Sequence, residues 1–204
     1  MIEQIGSSVS PWSSVSTLPY EFNYGSAVVY NNEIHILGGT VTNSNYRKHY
    51  KWNGSSWSSV STLPYDFYQD SAVVYNNEIH ILGSYSISKK HYKWNGSSWS
   101  RVSTLPHDFY DGSAVVYNNE IHILGGCNYT NNSSSNSSGI GLLADVTYNG
   151  QTWNMKSRLP YAFSGGSAVV YNNEIHILGG VTPLRADIDQ LLQICNNVKH
   201  YMLN

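Results

Sequence analysis

The stretch Ser26-Ala-Val-Val-Tyr-Asn-Asn-Glu-Ile-His-Ile-Leu-Gly38 decides the fold, because it occurs four times without a change. The other copies begin at Ser71, Ser113 and Ser167, so successive copies are 45, 42 and 54 residues apart. A unit repeated at such a period is typical of architectures in which each repeat is one supersecondary motif. The sequence therefore predicts four similar structural units.

The first half of each unit predicts a β-hairpin. Residues 26–30 and 33–37 are rich in β-branched and aromatic side chains, which favour strands. Between them stand Asn31 and Asn32, and asparagine tolerates the left-handed backbone that a two-residue type I′ turn requires. Gly38 and Gly39 end the second strand and allow a sharp turn.

The second half of each unit predicts two further strands. Lys48 to Trp52 alternates aromatic and polar residues, and Asn53-Gly54 is a strong signal for a tight hairpin turn. A fourth strand begins at Trp57 and ends at Leu63-Pro64, since proline cannot continue strand pairing. Each unit is thus a four-stranded antiparallel sheet, and such small sheets must stack on their neighbours, as the blades of a β-propeller do.

These features together resemble the kelch repeat. The shared residues are an aromatic third strand, a tryptophan that opens strand four, a terminal Leu-Pro, and glycine pairs at Gly38-Gly39, Gly125-Gly126 and Gly179-Gly180. The second unit departs from the pattern with Gly83-Ser84, and histidine stands where kelch repeats usually have tyrosine, at His35, His80, His122 and His176. The resemblance implies an all-β propeller, and kelch propellers serve many roles.

The chain is predicted to form one domain over residues 1–204, with units at about 20–64, 65–106, 107–160 and 161–204. Residues 6–19 match the fourth strand of a unit, and Lys199 to Asn204 matches a third strand. We therefore expect the N-terminal strand to pair with the C-terminal strand and close a ring of four blades. A piece of a larger ring, or two chains that complete one ring, are the alternatives.

Composition argues against several classes of partner. The net charge is −2 with 12% charged residues and no basic block, so neither nucleic acid nor membrane is an expected partner. No apolar run reaches the 18 residues of a membrane span. The N-terminus lacks a signal-peptide pattern, so an intracellular, cytoplasmic location is expected. Cys127 and Cys195 are interpreted as two reduced thiols, with a bridge between loops as the alternative.

Variation is concentrated at one end of the predicted blades. The turns within each hairpin hardly change, whereas the loops from strand two to three and from blade to blade differ in every unit. Loops on a rigid scaffold often carry binding residues, so the candidate partner-binding residues lie here. They are Tyr24, Tyr65, Asp66, Tyr68, Asp70, His107, Asp108, Tyr110, Asp111 and Tyr161. Part of each loop is expected to be structural, because one phenylalanine recurs in all four.

One insertion at the same end predicts a helix. Between residues 183 and 197, apolar residues recur at helical spacing, Thr182 can cap the start, and Pro183 suits the first turn. Such an amphipathic helix would either pack on the rim of the fourth blade or cover the central channel.

No pattern for catalysis, a cofactor or a metal site is present. The four strand-two histidines are expected to lie too far apart to share a metal ion and to bond within their own blades. No phosphate loop, zinc spacing or nucleophile elbow occurs. The absence of these patterns favours a non-catalytic binding module, and the resemblance to kelch adaptors implies a protein partner. A carbohydrate-binding propeller is the alternative, and a sugar-processing enzyme such as a mutarotase is the third hypothesis.

Overall fold

The computed structural model describes residues 12–39, 46–84, 89–128, 140–180 and 200–203, and every regular element within these ranges is a β-strand. The first blade contains β1 (Ser26–Tyr30), β2 (Glu33–Leu37), β3 (Lys48–Trp52) and β4 (Trp57–Thr62). The second blade contains β5 (Ser71–Tyr75), β6 (Glu78–Leu82), β7 (Lys90–Trp94) and β8 (Trp99–Thr104). The third blade contains β9 (Ser113–Tyr117), β10 (Glu120–Leu124), β11 (Cys127–Asn128), β12 (Ile140–Tyr148) and β13 (Trp153–Phe163). The fourth blade contains β14 (Ser167–Tyr171), β15 (Glu174–Leu178) and β16 (His200–Leu203).

The strands of each blade pair antiparallel. The first two blades are four-stranded meanders, the third adds the short β11 on the edge of β12, and the fourth has three described strands in the order β14-β15-β16. The four sheets are the blades of a four-bladed β-propeller, so the predicted all-β fold class is confirmed. Within the described ranges, no helix is long and apolar enough to cross a membrane.

The conserved hairpin turns have the predicted backbone. In the first blade, Asn31 and Asn32 have φ angles of 50° and 62°, and the Asn-Asn pairs of the other three blades have φ angles in the same left-handed range. Asparagine reaches this region at a lower cost than most residues do. The turns fix the register between the first and second strands, which is the same in every blade.

The core lies between neighbouring blades. Tyr30 and Leu37 on one face of the first blade pack against Ile79 and Ile81 of the second blade. The equivalent residues form the boundaries between the second and third blades and between the third and fourth blades. Alternation along each strand therefore gives every blade two apolar faces, one for each neighbour.

The boundary between the last blade and the first is less complete. The inner strands β1, β5, β9 and β14 contact one another in that order, but among the described strands β14 makes no comparable contact with β1. On the outward face of the fourth blade Tyr171 is 64% exposed, whereas the equivalent Tyr75 is 3% exposed. The face of the first blade at this boundary is exposed as well, and we call the two faces together the seam. It is formed by Val29 and Ile34 of the first blade and Val169, Tyr171 and Leu178 of the fourth.

The closing strand predicted at 6–19 is only partly visible. Residues 12–18 are exposed and form no strand, and residues 1–11 lie outside the described ranges. The indole nitrogen of Trp57 donates to Ser16 Oγ at 3.0 Å, which holds this segment against the first blade. Among the described strands β16 pairs with β15 alone, so the predicted pairing of the two terminal strands is not observed. The predicted helix at 183–197 also lies outside the described residues.

Candidate functional site

The loops that join one blade to the next meet around the propeller axis. The Gln69 N–H donates to Tyr24 O at 2.9 Å, Asp111 N–H to Gln69 O at 3.0 Å, and Gly165 N–H to Asp111 O at 2.7 Å. These four residues occupy the same position in the four loops, and their φ angles lie between 54° and 64°. The backbone ladder therefore sets the side chains of neighbouring loops side by side.

We call the polar residues at this place the axial cluster. It consists of Tyr24, Gln69, Asp70, Tyr110 and Asp111. Four of the five were predicted as binding residues, and the structure brings these four together. Gln69 was missed, although aligning the four loops would have placed it at the same position as Tyr24 and Asp111.

Asp70 stands where the other three loops have glycine. A Cβ atom on Gly25, Gly112 or Gly166 would lie 2.3–2.5 Å from a ring carbon of a loop phenylalanine, so these positions exclude a side chain. At Gly112 the same atom would lie 3.0 Å from the nitrogen of Gly126. The second blade replaces both contacting glycines, with Asp70 and Ser84. The repeat is therefore broken at the position where a carboxyl group is introduced.

The carboxyl group of Asp70 is incompletely bonded. Its Oδ2 accepts the backbone N–H of Tyr68 at 3.0 Å, whereas Oδ1 is buried without a hydrogen-bond partner. Burial raises the pKa of Asp70 well above its usual value, and the neighbouring charge of Asp111 raises this pKa further, against the lowering effect of the Tyr68 N–H. Burial also raises the pKa of Asp111. Two acidic groups that resist ionisation thus lie close together.

An aromatic rim borders this carboxyl pair. The ring centroids of Tyr24 and Tyr68 are 5.2 Å apart, and those of Tyr46 and Tyr68 are 5.8 Å apart. Tyr24 is 56% exposed and is available to a partner. Tyr110 is buried, and its hydroxyl donates to Gln69 Oε1, so it supports the cluster from within.

Cys127 lies beneath the cluster in the third blade. Its backbone N–H donates to Tyr110 O at 2.7 Å, and its side chain is a buried free thiol. Burial raises the pKa of this thiol, a hydrogen bond with Ser164 lowers it, and the charge of Asp111 raises it. Cys195 lies outside the described residues.

Three other predicted residues occupy a structural position in each loop. Tyr65, His107 and Tyr161 align with Tyr20, and all four begin their loops. Tyr20 and Tyr161 donate their hydroxyls to the carbonyls of Gly38 and Gly179, at 2.8 and 2.6 Å. The Lys90 ammonium lies 5.1 Å from the centre of the buried Tyr65 ring. The tyrosines at this position fasten the loop to its own blade.

The acidic residues that follow this position bond through their backbone carbonyls. Asp66 is exposed, and its carbonyl accepts the Ser84 hydroxyl at 2.7 Å. Asp108 is half-buried, and its carbonyl oxygen lies 2.7 Å from His107 Nδ1, within hydrogen-bond distance. Neither residue belongs to the axial cluster, although both lie at the same end of the blades.

In the first three blades the strand-two histidines bond within their own blade, as predicted. His35 Nδ1 lies 2.7 Å from His49 Nε2, and His80 Nδ1 lies 2.7 Å from His91 Nε2. In the third blade, His122 Nδ1 lies 2.9 Å from Asp145 Oδ1. In the part of the chain that the structure describes, no group of three or more His, Cys, Asp or Glu side chains is placed to hold a metal ion.

Comparison with known proteins supports the fold alone. No protein-family model matches the chain, and no curated protein matches it. A solved structure titled "Structure of YjhT" superposes with a TM-score of 0.68 at 15% sequence identity, over 82% of this chain and 61% of that one. The chain thus spans less than two thirds of the length of that structure. At this identity the similarity shows a shared propeller fold.

Proposed function

We propose that the chain is a non-catalytic binding module whose variable-loop end takes a protein partner. The observation that carries this proposal is the buried, unpartnered Oδ1 of Asp70 beside the carboxyl group of Asp111. The resemblance to kelch repeats also supports it, because kelch adaptors bind proteins.

The chemistry of the cluster favours a basic side chain on that partner. A lysine or arginine entering beside Asp70 would supply the missing donor to Oδ1 and a charge opposite to both carboxylates. Charge-assisted hydrogen bonds of this kind are stronger than neutral ones. An arriving positive charge also lowers the pKa of a carboxyl group, so it reverses the effect of burial on Asp70 and Asp111.

The aromatic rim supplies the apolar part of the surface. Tyr24, Tyr46 and Tyr68 present a large contact area with hydroxyl groups at its border. Tyrosine is enriched among the residues that dominate binding energies at protein interfaces. A basic residue flanked by apolar ones therefore fits this end of the propeller.

Affinity capture from the native extract, with mass spectrometry, tests the proposal. The Tyr24→Ala/Tyr68→Ala variant should lose the captured protein, and calorimetry on that protein should show a loss of about tenfold or more in affinity. The matched control is Asn76→Gly/Asn77→Gly, in the hairpin turn at the opposite end of the second blade, where the positive φ angles suit glycine. Equal loss of binding in both variants would contradict a site at the loop end.

The Asp70→Asn variant separates the effect of this carboxyl group on stability from its effect on binding. Because burial raises the pKa of Asp70, its ionisation disfavours the folded state as pH rises through that pKa. At pH 7 the variant should therefore unfold at a higher denaturant concentration than the wild type while binding the captured protein more weakly. Wild-type binding should also strengthen as pH rises and Asp70 ionises. Unchanged affinity in Asp70→Asn would exclude a direct role.

Carbohydrate binding is the second candidate, favoured by the exposed Tyr24 ring beside carboxyl acceptors. Aromatic rings and carboxyl groups together suit a sugar's apolar face and its hydroxyl groups. A glycan array would show binding abolished in Tyr24→Ala/Tyr68→Ala if this function were the correct one. A sugar-processing activity would instead show turnover that Asp111→Asn abolishes.

A further inference from the structure

The boundary between the third and fourth blades contains a slot on its outer side. Leu124, Asp145 and Ser157 of the third blade line it together with Ile175 and Leu203 of the fourth. At the corresponding place, each of the preceding boundaries holds a tryptophan from strand four of the later blade.

Those tryptophans make one repeated hydrogen bond. Each indole N–H donates to a serine hydroxyl on the preceding strand-four segment, and the pairs are Trp57 with Ser16 at 3.0 Å, Trp99 with Ser61 at 3.0 Å, and Trp153 with Ser103 at 2.9 Å. Every such serine follows a tryptophan of its own segment by four residues, and Ser157 is the next serine in the series. Ser157 donates to Asp145 Oδ2 at 3.2 Å, and no described indole binds it.

The sequence offers one further tryptophan of this type. Trp12 begins a segment, Trp12 to Pro19, that matches Trp57 to Pro64 at all eight positions. Trp12 is 88% exposed and Val15 is 77% exposed, whereas Val60 and Val102, the equivalents of Val15, pack against the cores between blades. The segment therefore presents the side chains of a fourth strand without lying in a sheet.

In the described part of the fourth blade, β16 has a partner strand on one edge only. Among the described residues, β16 pairs with β15 and no strand pairs with its other edge. In the first blade, Lys51 pairs with Ser58 and Trp52 pairs with Trp57. The same register would pair Met202 with Ser13 and Leu203 with Trp12, which places the Trp12 indole at the slot.

We propose that the slot receives residues 12–18 of a second copy of this chain, paired with β16. The chain's own segment is held at its first blade by the bond between Trp57 and Ser16, and among the described strands β14 makes no contact with β1 comparable to those between the other inner strands. When the first blade of one copy carries this segment to a second copy, its Val29 and Ile34 would lie against Tyr171 and Leu178 of that second copy. These residues have the same identities as the pairs buried at the inner boundaries.

This interface is heterologous, because the first blade of one copy meets the fourth blade of the other. Such an interface closes when a small number of copies completes a ring. Two copies would give about eight blades, which is the upper end of the usual range for propellers. Both slots and both seams would then be filled. The inference does not depend on the proposed function.

Variants that each add one cysteine distinguish the second copy from the chain's own segment. Ser13→Cys in one preparation and Met202→Cys in another can form a bridge between the two positions only across chains when the preparations are mixed. Under mild oxidation the mixture should give disulfide-linked pairs, and the wild type, which keeps Cys127 and Cys195, measures the background. A bridge that forms within one chain of the double variant, but not in the mixture, would overturn the proposal. No bridge in either sample would also overturn it.

Sedimentation supplies an independent readout. The wild type should reach about twice the 22.8 kDa mass of one chain, and Trp12→Ala should weaken this association roughly thirtyfold or more, as loss of a buried interface tryptophan does. Ser14→Ala is the matched control, since the equivalent Ser59 and Arg101 are exposed in their blades. A wild type that stays monomeric at all concentrations, or equal weakening by both variants, would contradict the proposal.

Discussion

At the scale of single residues, the buried histidine pairs show how the blades tolerate polar groups in their cores. Burial is the main cause that lowers the pKa of His49 and His91 to about 3 and that of His80 to about 4. The ring of His49 contacts Trp94 and Trp99 of the next blade, with centroids 5.4 and 5.6 Å apart. Neutral imidazoles thus form part of the boundary between blades.

These histidines predict a loss of stability in acid. Below the ordinary pKa of 6.5 the unfolded chain binds protons that the folded chain does not, down to pH about 3–4. The free energy of unfolding should therefore fall by up to about 1.4 kcal/mol per pH unit for each such histidine. Urea unfolding between pH 7 and pH 4.5 measures this slope.

The variant His80→Gln/His91→Gln provides the comparison for that measurement. It removes two of the groups, so its free energy of unfolding should depend less steeply on pH, even though its stability at pH 7 is lower. Parallel slopes in the variant and the wild type would show that other groups govern acid unfolding.

At the scale of elements, the hairpin turn is the most constant part of the molecule. Asn76 and Asn77 have φ angles of 50° and 58°, close to those of the other three turns. The turn fixes which side chains of β5 and β6 face each neighbouring blade, because a slip of one residue would exchange the two faces.

Substitutions at Asn77 test this backbone requirement. Asn77→Ala should lower the free energy of unfolding by about 1 kcal/mol, because a β-carbon disfavours the left-handed region. Asn77→Gly should change it by less than about 0.5 kcal/mol, since glycine adopts that region freely. Chemical denaturation of both variants gives the comparison, and equal losses would indicate that the asparagine side chain, rather than its backbone, matters.

At the scale of the whole molecule, stability depends on how many neighbours a blade has. The second blade is covered on both faces, whereas the seam leaves the outward face of the fourth blade exposed. In repeat architectures each unit gains stability chiefly from its nearest neighbours. The fourth blade should therefore open more readily than the second.

Amide hydrogen exchange can compare identical strands in these two settings. β6 and β15 have the same sequence, Glu-Ile-His-Ile-Leu, so intrinsic exchange rates are matched. Exchange should be slower in β6 than in β15 when the protein is dilute enough to prevent association. Equal protection would mean that the described seam does not leave the fourth blade less stable in solution.

Much of the fold could be predicted because the signals are local. Strand alternation, the Asn-Asn turns and the strand-four tryptophans each act over a few residues, and each of these signals occurs four times in the sequence. The candidate site was predicted less completely. Tyr65 and Tyr161 occupy a position that is tyrosine in three of the four loops, and both contact their own blades. Gln69 belongs to the cluster because of a backbone ladder between loops, which no local sequence pattern predicts.

The sequence by itself determined the four blades, their turns and the end at which the loops vary, because these follow from side-chain periodicity and backbone preference. Only the tertiary structure decided that Asp70 lies beside Asp111 with an unsatisfied oxygen, and that Ser157 lines a slot. Those facts depend on how separate blades are positioned around an axis. Packing between distant segments sets that position, so identical repeats such as β6 and β15 acquire different surroundings.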